Sequence, residues 1–126
     1  MQNPPLYSKT YHLSELVFQS TRSFPKHLRP TLGRKLEESA LDLLILTKRI
    51  LFQKDSHELK AAIDLVDQSK ILVQLSHDLT ALSHHEYGHL SDHLSLIGKM
   101  LAGLGSFRKQ RSTQGQAEPG DLRAPP

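Results

Sequence analysis

The pattern in this chain that is most suggestive of chemistry is a row of histidines interrupted by a glutamate. His85, Glu86 and His89 stand in the order H-E-x-x-H, and His93 follows one helical turn later. In zinc hydrolases this spacing places two imidazoles on one side of a helix, where they hold the metal while the glutamate activates its water. A small zinc protein using His85, Glu86 and His89 is therefore one alternative, and it is the remote one.

The surrounding residues favour a different reading of the same row. Ser83 and Glu86 match the S-x-x-E capping box, in which each side chain accepts a hydrogen bond from a backbone N–H at a helix start. Gly88 weakens the helix where a metal site needs rigidity. The chain has no glycine-rich phosphate loop and no nucleophile elbow. We expect that the protein is not an enzyme, has no catalytic residue and binds no metal or cofactor. We interpret the histidine row as facing either solvent or another subunit.

A second group of candidate residues is basic. Residues 1–54 hold nine Lys and Arg against four acids (+5), whereas residues 55–105 hold three against seven (−4). Such a layout steers a polyanion to one side of a protein, through phosphate contacts that are independent of sequence and sensitive to salt. Few aromatic residues are interleaved, so we do not expect base stacking to drive binding. The predicted nucleic-acid contacts are Arg22, Lys26, Arg29, Arg34, Lys35, Lys48 and Arg49.

Length and composition limit the class of protein. The 126 residues favour one domain. The absence of cysteine excludes disulfides, thiolate zinc sites and thiol catalysis, and it fits a reducing compartment. No apolar run approaches the roughly 20 residues of a membrane span, and the start MQNPPLYSK has no signal-peptide core. These features predict a cytoplasmic protein.

The elements that must position these residues are all predicted to be helical. Apolar spacing indicates helices over about 11–23, 30–53, 56–82 and from 83 onward, with Pro25 ending the first and Ser56 capping the third. Short connections then give an all-α, up-down-up-down antiparallel four-helix bundle. We predict a bundle over residues 11–109, an N-terminal arm over 1–10 and a disordered tail over 110–126.

The fourth helix predicts both a core and an oligomer interface. Its core seam has 3-4 spacing through Tyr87, Leu90, Leu94, Ile97, Leu101 and Leu104. A neighbouring stripe of small residues contains Gly98 and Gly105, which favours close packing of another helix. A third stripe adds apolar residues that one bundle does not need, and surplus apolar surface is typical of subunit interfaces. The predicted interface residues are Leu96, Met100, Gly103 and Phe107.

Three segments together resemble a known family. Residues 24–44 read FPKHLRPTLGRKLEESALDLL, residues 64–83 read DLVDQSKILVQLSHDLTALS, and residues 97–107 read IGKMLAGLGSF. They are similar to the turn, the third helix and the ending of the accessory variability proteins of diversity-generating retroelements, over roughly residues 11–107. A sister family, encoded in ribosomal-RNA intervening sequences, shares the F-P-[KR] turn. Its second helix usually carries S-I-P-x-N-I-x-E-G, which this chain lacks.

The resemblance implies a non-enzymatic protein that assembles into a pentameric barrel with a positively charged surface. It implies binding to a reverse transcriptase and to template RNA, or DNA, in support of mutagenic cDNA synthesis during retrohoming. The alternative is an oligomeric four-helix scaffold of the intervening-sequence type without a nucleic-acid role. Pentamer stoichiometry and the reverse transcriptase partner rest on the resemblance alone.

Overall fold

The computed structural model describes residues 5–53 and 57–115, and the side chains among them up to Phe107. Within these ranges all regular structure is helical and no strand occurs. Four α-helices are present in the described ranges, and a short π-helical turn, Arg29–Gly33, leads directly into the second of them. The helices are α1 (Pro5–Thr21), α2 (Arg34–Gln53), α3 (His57–Asp78) and α4 (His84–Gly115).

Helices α1 and α2 run in opposite directions. Near the start of α1, the ring of Tyr7 lies 6.4 Å from that of Phe52 at the end of α2. At the other end of α1, the Thr21 hydroxyl donates a hydrogen bond of 2.6 Å to the Glu37 carboxylate at the start of α2. The start of α1 thus lies beside the end of α2, and the end of α1 lies beside the start of α2.

The remaining helices continue this alternation. Arg49 near the end of α2 pairs with Glu58 at the start of α3, while Gln68 later on α3 donates to the hydroxyl of Ser39 near the start of α2 at 2.6 Å. Helix α4 runs opposite to α3, because Gly98 faces Val66 and Gly105 faces Leu59, and α4 also contacts α1. These contacts follow the up-down-up-down order of the predicted bundle.

The core contains the apolar seams read from the sequence. The α4 seam is confirmed, because Leu90, Leu94, Ile97 and Leu101 are each almost fully buried. Close packing is confirmed at two glycines of the small stripe. A Cβ at Gly98 would lie 3.4 Å from Val66, and one at Gly105 only 3.0 Å from Leu59. Helix α3 therefore approaches α4 closely along this side.

The predicted boundaries at the two ends of the bundle were wrong. Helix α1 begins at Pro5 instead of Tyr11, because proline suits a first turn and because Leu6 and Thr10 are buried against the bundle. Residues 5–10 are therefore helix and not arm. Helix α4 continues through residues 110–115, which we had assigned to the tail. Residues 116–126, the predicted break at 54–55 and the predicted cap Ser56 lie outside the described residues.

The third helix ends at Asp78, four residues before its predicted end, in a defined stop signal. The Thr80 N–H bonds to the His77 carbonyl at 2.9 Å, and the Ala81 N–H bonds to the Ser76 carbonyl at 2.8 Å. This pair of bonds is a Schellman motif, in which the first donor residue after the helix adopts the left-handed conformation. Thr80 occupies that position with φ of 62°, although glycine is the residue that usually does so.

Candidate nucleic-acid interface

The glutamate of the histidine row caps a helix. The Ser83 N–H donates to Glu86 Oε1 at 3.0 Å, and the Glu86 N–H donates to Ser83 Oγ at 3.0 Å. The predicted capping box is therefore confirmed. The Glu86 carboxylate is engaged with the backbone at the start of α4, where a negative charge also complements the helix dipole.

The histidines form a chain of neighbouring rings that extends to α1. Ring centroids are 6.0 Å apart for His85 and His89, 4.9 Å for His89 and His93, and 5.2 Å for His93 and His12 of α1. In the part of the chain that the structure describes, no group of three or more His, Cys, Asp or Glu side chains is placed to hold a metal ion. The geometry gives the zinc alternative no support.

His93 is the least exposed histidine in this chain of rings. Its Nδ1 is buried and has no hydrogen-bond partner among the described residues. Burial, followed by the nearby His89, His12 and Lys9, lowers the pKa of His93 below its ordinary value of 6.5, and Asp92 opposes the shift. The seam between α1 and α4 therefore favours a neutral imidazole.

The predicted basic residues divide into two groups along the bundle. Five of them surround the connection between α1 and α2, and all five are exposed. Lys48 and Arg49 lie further along α2, about 21 Å from Arg34 at 1.5 Å per residue. The seven residues therefore do not form one patch. We call the first group the turn cluster; its members are Arg22, Lys26, Arg29, Arg34 and Lys35.

Within the turn cluster, Arg29 has a structural role that its residue type does not reveal. Its Nε donates to the Phe24 carbonyl at 3.0 Å, and its Nη2 donates to the Arg22 carbonyl at 2.9 Å. Phe24 is buried beneath this turn and packs against Gly33, where a Cβ would lie 3.4 Å from the phenyl ring. Arg29 thus holds the connection in shape.

The other members differ in how free they are to bind. Arg34 pairs with Glu38 at 3.3 Å on the surface, an arrangement that a ligand phosphate can readily replace. Within the described ranges, Arg22, Lys26 and Lys35 take part in no recorded side-chain hydrogen bond or ion pair. The distal Arg49 is held by Glu58 at 2.9 Å. Of the predicted nucleic-acid contacts, Arg22, Lys26 and Lys35 are therefore the most available side chains.

The structure also contains a surface groove that the sequence reading missed. It consists of three neighbouring depressions on the outer side of α1 and α2 that share lining residues. The one with the largest volume of the three, about 670 Å³, lies at the turn-cluster end. Its apolar residues repeat with the same spacing on both helices, i, i+4 and i+11, which could have revealed it. We call it the α1–α2 groove; it is lined by Tyr7, Tyr11, Phe18, Leu41, Leu44, Ile45 and Phe52.

A second apolar surface lies on α3. Ile71 and Leu75 of α3 and Leu79, one residue beyond its end, are spaced by four residues and all three are exposed, Ile71 to 67%. This i, i+4, i+8 spacing is visible in the sequence, but no surface was predicted from it. We call these three residues the α3 strip.

The predicted interface residues on α4 are partly available for contact. Leu96 and Phe107 are 40% and 54% exposed, and Gly103 is exposed with open space beside it. Met100, in contrast, is partly buried and packs against the bundle core. The prediction that these residues contact another subunit remains a prediction.

A comparison with protein-family models and a comparison with curated proteins each found no match. Within the described ranges, no helix combines the length and the apolar character that crossing a bilayer requires.

Proposed function

We propose that this chain is a non-enzymatic accessory protein of a diversity-generating retroelement, which binds the reverse transcriptase and its template RNA during mutagenic cDNA synthesis. The observation that carries the proposal is the turn cluster, five exposed basic side chains around one connection. Four of these five residues lie within residues 24–44, which carry the strongest part of the family resemblance. Residue type, exposure and resemblance therefore converge on one end of the bundle.

Phosphate binding at this end needs little rearrangement. The side chains of Lys26 and Lys35 are exposed and have no hydrogen-bond or ion-pair partner in the described part of the chain, so no existing pair has to be broken when they contact phosphates. Arg29 fixes the turn that carries Lys26 through its hydrogen bonds to the Phe24 and Arg22 carbonyls. A polyanion thus meets a cationic surface on a rigid support, and its base sequence has little influence on affinity.

Protein partners are proposed for the apolar surfaces. The reverse transcriptase and further copies of the chain, five in the assembly implied by the resemblance, need apolar area to bind stably. The α1–α2 groove, the α3 strip and the exposed α4 residues supply it. The same surfaces favour the alternative function, an oligomeric four-helix scaffold without a nucleic-acid role.

A direct test compares two double variants that lose the same charge. In K26Q/K35Q both changes fall in the turn cluster, whereas the control K70Q/K99Q removes exposed lysines from α3 and α4. Filter binding of a single-stranded RNA is measured over a salt series. We expect K26Q/K35Q to bind more weakly and to reduce the slope of log K against log salt by about 1.4, at 0.7 per lost contact.

The control variant should retain the wild-type slope. Equal losses of RNA affinity in both variants would show that only the net charge of the protein determines binding. Absence of RNA binding by the wild-type chain would favour the scaffold alternative. A reverse-transcriptase gene and a template repeat beside the gene for this chain would support the retroelement assignment independently.

A further inference from the structure

The α1–α2 groove is too apolar for an outer face that stays in water. Its centre is formed by Leu41 and Ile45 of α2, which are 42% and 53% exposed, and by Tyr11 and Phe18 of α1. At one end Phe52 is half exposed beside Tyr7. A monomeric protein rarely leaves such a contiguous surface uncovered, which makes the groove a candidate contact site for a macromolecule.

The α3 strip protrudes from the surface, whereas the groove is concave, and Ile71 at the start of the strip points away from the core. The buried residues of α3, among them Val66 and Val73, lie on the side of the helix opposite to Ile71. The strip therefore stands out as a ridge on a rigid helix. It spans about 12 Å from Ile71 to Leu79, and the apolar part of α2 in the groove, Leu41 to Phe52, spans about 16 Å at 1.5 Å per residue.

The charges beside the two surfaces are complementary. The groove has Lys48 and Arg49 among its lining residues at one end and Arg22 at the other, with Glu15 between them; Arg49 is already paired with Glu58. The exposed charged side chains of α3 are three aspartates and two lysines, and one of the lysines pairs with an aspartate at 3.3 Å. These residues are Asp64, Asp67, Asp78, Lys60 and Lys70. The ridge on each chain thus has a slight acidic excess (three acids minus two bases) and meets a groove with basic ends on another.

We propose that the α3 strip of one copy occupies the α1–α2 groove of a second copy. The strip and the groove agree in shape, length, apolar character and charge, and every copy of the chain carries both surfaces. The contact deepens the proposed assembly, and it does not depend on RNA binding. It also differs from the interface expected from the sequence, which used Leu96 and Phe107 of α4.

Because the groove and the strip are different surfaces, the contact is heterologous. A heterologous contact that repeats forms a closed ring when the rotation between copies closes, and an open filament otherwise. In a ring, every turn cluster lies at the same level relative to the symmetry axis. The contact therefore gathers the basic ends of all copies into one cationic rim.

The test uses the full-length chain and measures its mass by analytical ultracentrifugation and native mass spectrometry. Variant I45K places a lysine in the groove, and variant I71K/L75K places two on the strip. All three positions are exposed, so both variants should keep the helical circular dichroism of the wild type. We expect the wild type to be oligomeric and each variant to be monomeric, because a lysine cannot be buried in the contact unpaired.

The decisive measurement is an equal mixture of the two variants. The strip of I45K and the groove of I71K/L75K are intact, so these two surfaces can still bind each other. The other pairing, of the I45K groove with the I71K/L75K strip, would bring the introduced lysines together. We therefore expect the mixture to form a dimer and nothing larger. A mixture that remains monomeric would overturn the proposal, as would a monomeric wild type or a variant with wild-type mass.

Variant L96K is the matched control, since Leu96 has an exposure similar to that of Leu75. It should keep the wild-type mass. If L96K dissociates the oligomer while I71K/L75K does not, the α4 surface is the interface and the proposed contact is wrong. Loss of RNA binding in the turn-cluster variant, with the mass unchanged, separates this proposal from the proposed function.

Discussion

At the scale of single residues, the environment decides which of several possible roles a side chain takes. Glu86 fits a catalytic motif and a helix cap equally well by spacing, and its hydrogen bonds with Ser83 select the cap. Arg29 belongs to a basic cluster by type, yet two of its N–H groups bind backbone carbonyls. An experiment that removes Arg29 would therefore disturb the fold and the charge together, which is why the RNA test uses Lys26 and Lys35.

The pH dependence of stability should depend on His93. Its pKa in the folded chain lies below the ordinary value of 6.5, mainly because of burial and then because of His89, His12 and Lys9. The unfolded chain therefore takes up a proton at a higher pH than the folded chain does. The stability that neutral His93 contributes to the folded chain is fully present above pH 6.5. It is lost as the pH falls from 6.5 through the pKa that His93 has in the folded chain.

We expect the stability advantage of the wild type over H93Q to shrink between about pH 7 and about pH 5. Urea unfolding at a series of pH values gives the free energy of unfolding for both proteins. The control H27Q removes an exposed histidine from the α1–α2 connection and should leave the wild-type profile unchanged. A constant difference between wild type and H93Q across the series would show that His93 does not carry this dependence.

At the scale of elements, the ends of helices depend on local geometry that composition only partly reveals. The capping box at Ser83 follows from four consecutive residues, and it was predictable for that reason. The end of α3 depends on a left-handed Thr80, which no sequence rule favours because a β-branched side chain clashes with the backbone there. Without a glycine to mark the stop, the apolar pattern extended the predicted helix to Leu82.

Replacing Thr80 by glycine should stabilise the protein by about 1 kcal/mol, because glycine adopts the left-handed conformation without the steric cost. Urea unfolding of T80G against wild type measures the change. The control T31G makes the same chemical change at a position where φ is negative, so it should lose stability. Destabilisation of T80G comparable to that of T31G would mean that Thr80 carries no strain.

At the scale of the whole molecule, the two proposals make a joint prediction about affinity. A ring that gathers several turn clusters binds one RNA at several points, and linked contacts raise overall affinity without any new interaction. The variant I71K/L75K should therefore bind RNA more weakly than wild type, although it carries more positive charge. Fluorescence anisotropy with a long single-stranded RNA measures this difference.

A short RNA that reaches only one turn cluster is the control ligand, and its affinity should not fall in I71K/L75K. If the long RNA binds the monomeric variant as tightly as it binds the wild type, a single turn cluster accounts for the affinity. The assembly would then serve the protein partner.

The sequence determined the helical class and most of the core, because these depend on the spacing of apolar residues along one chain. The α4 seam from Leu90 to Leu101 and the cap at Ser83 follow from such spacing. The tertiary structure decided which apolar faces have no partner. Leu41, Ile45 and Ile71 have the same residue types as the core, and only the arrangement of four helices determines that these three side chains stay at the surface.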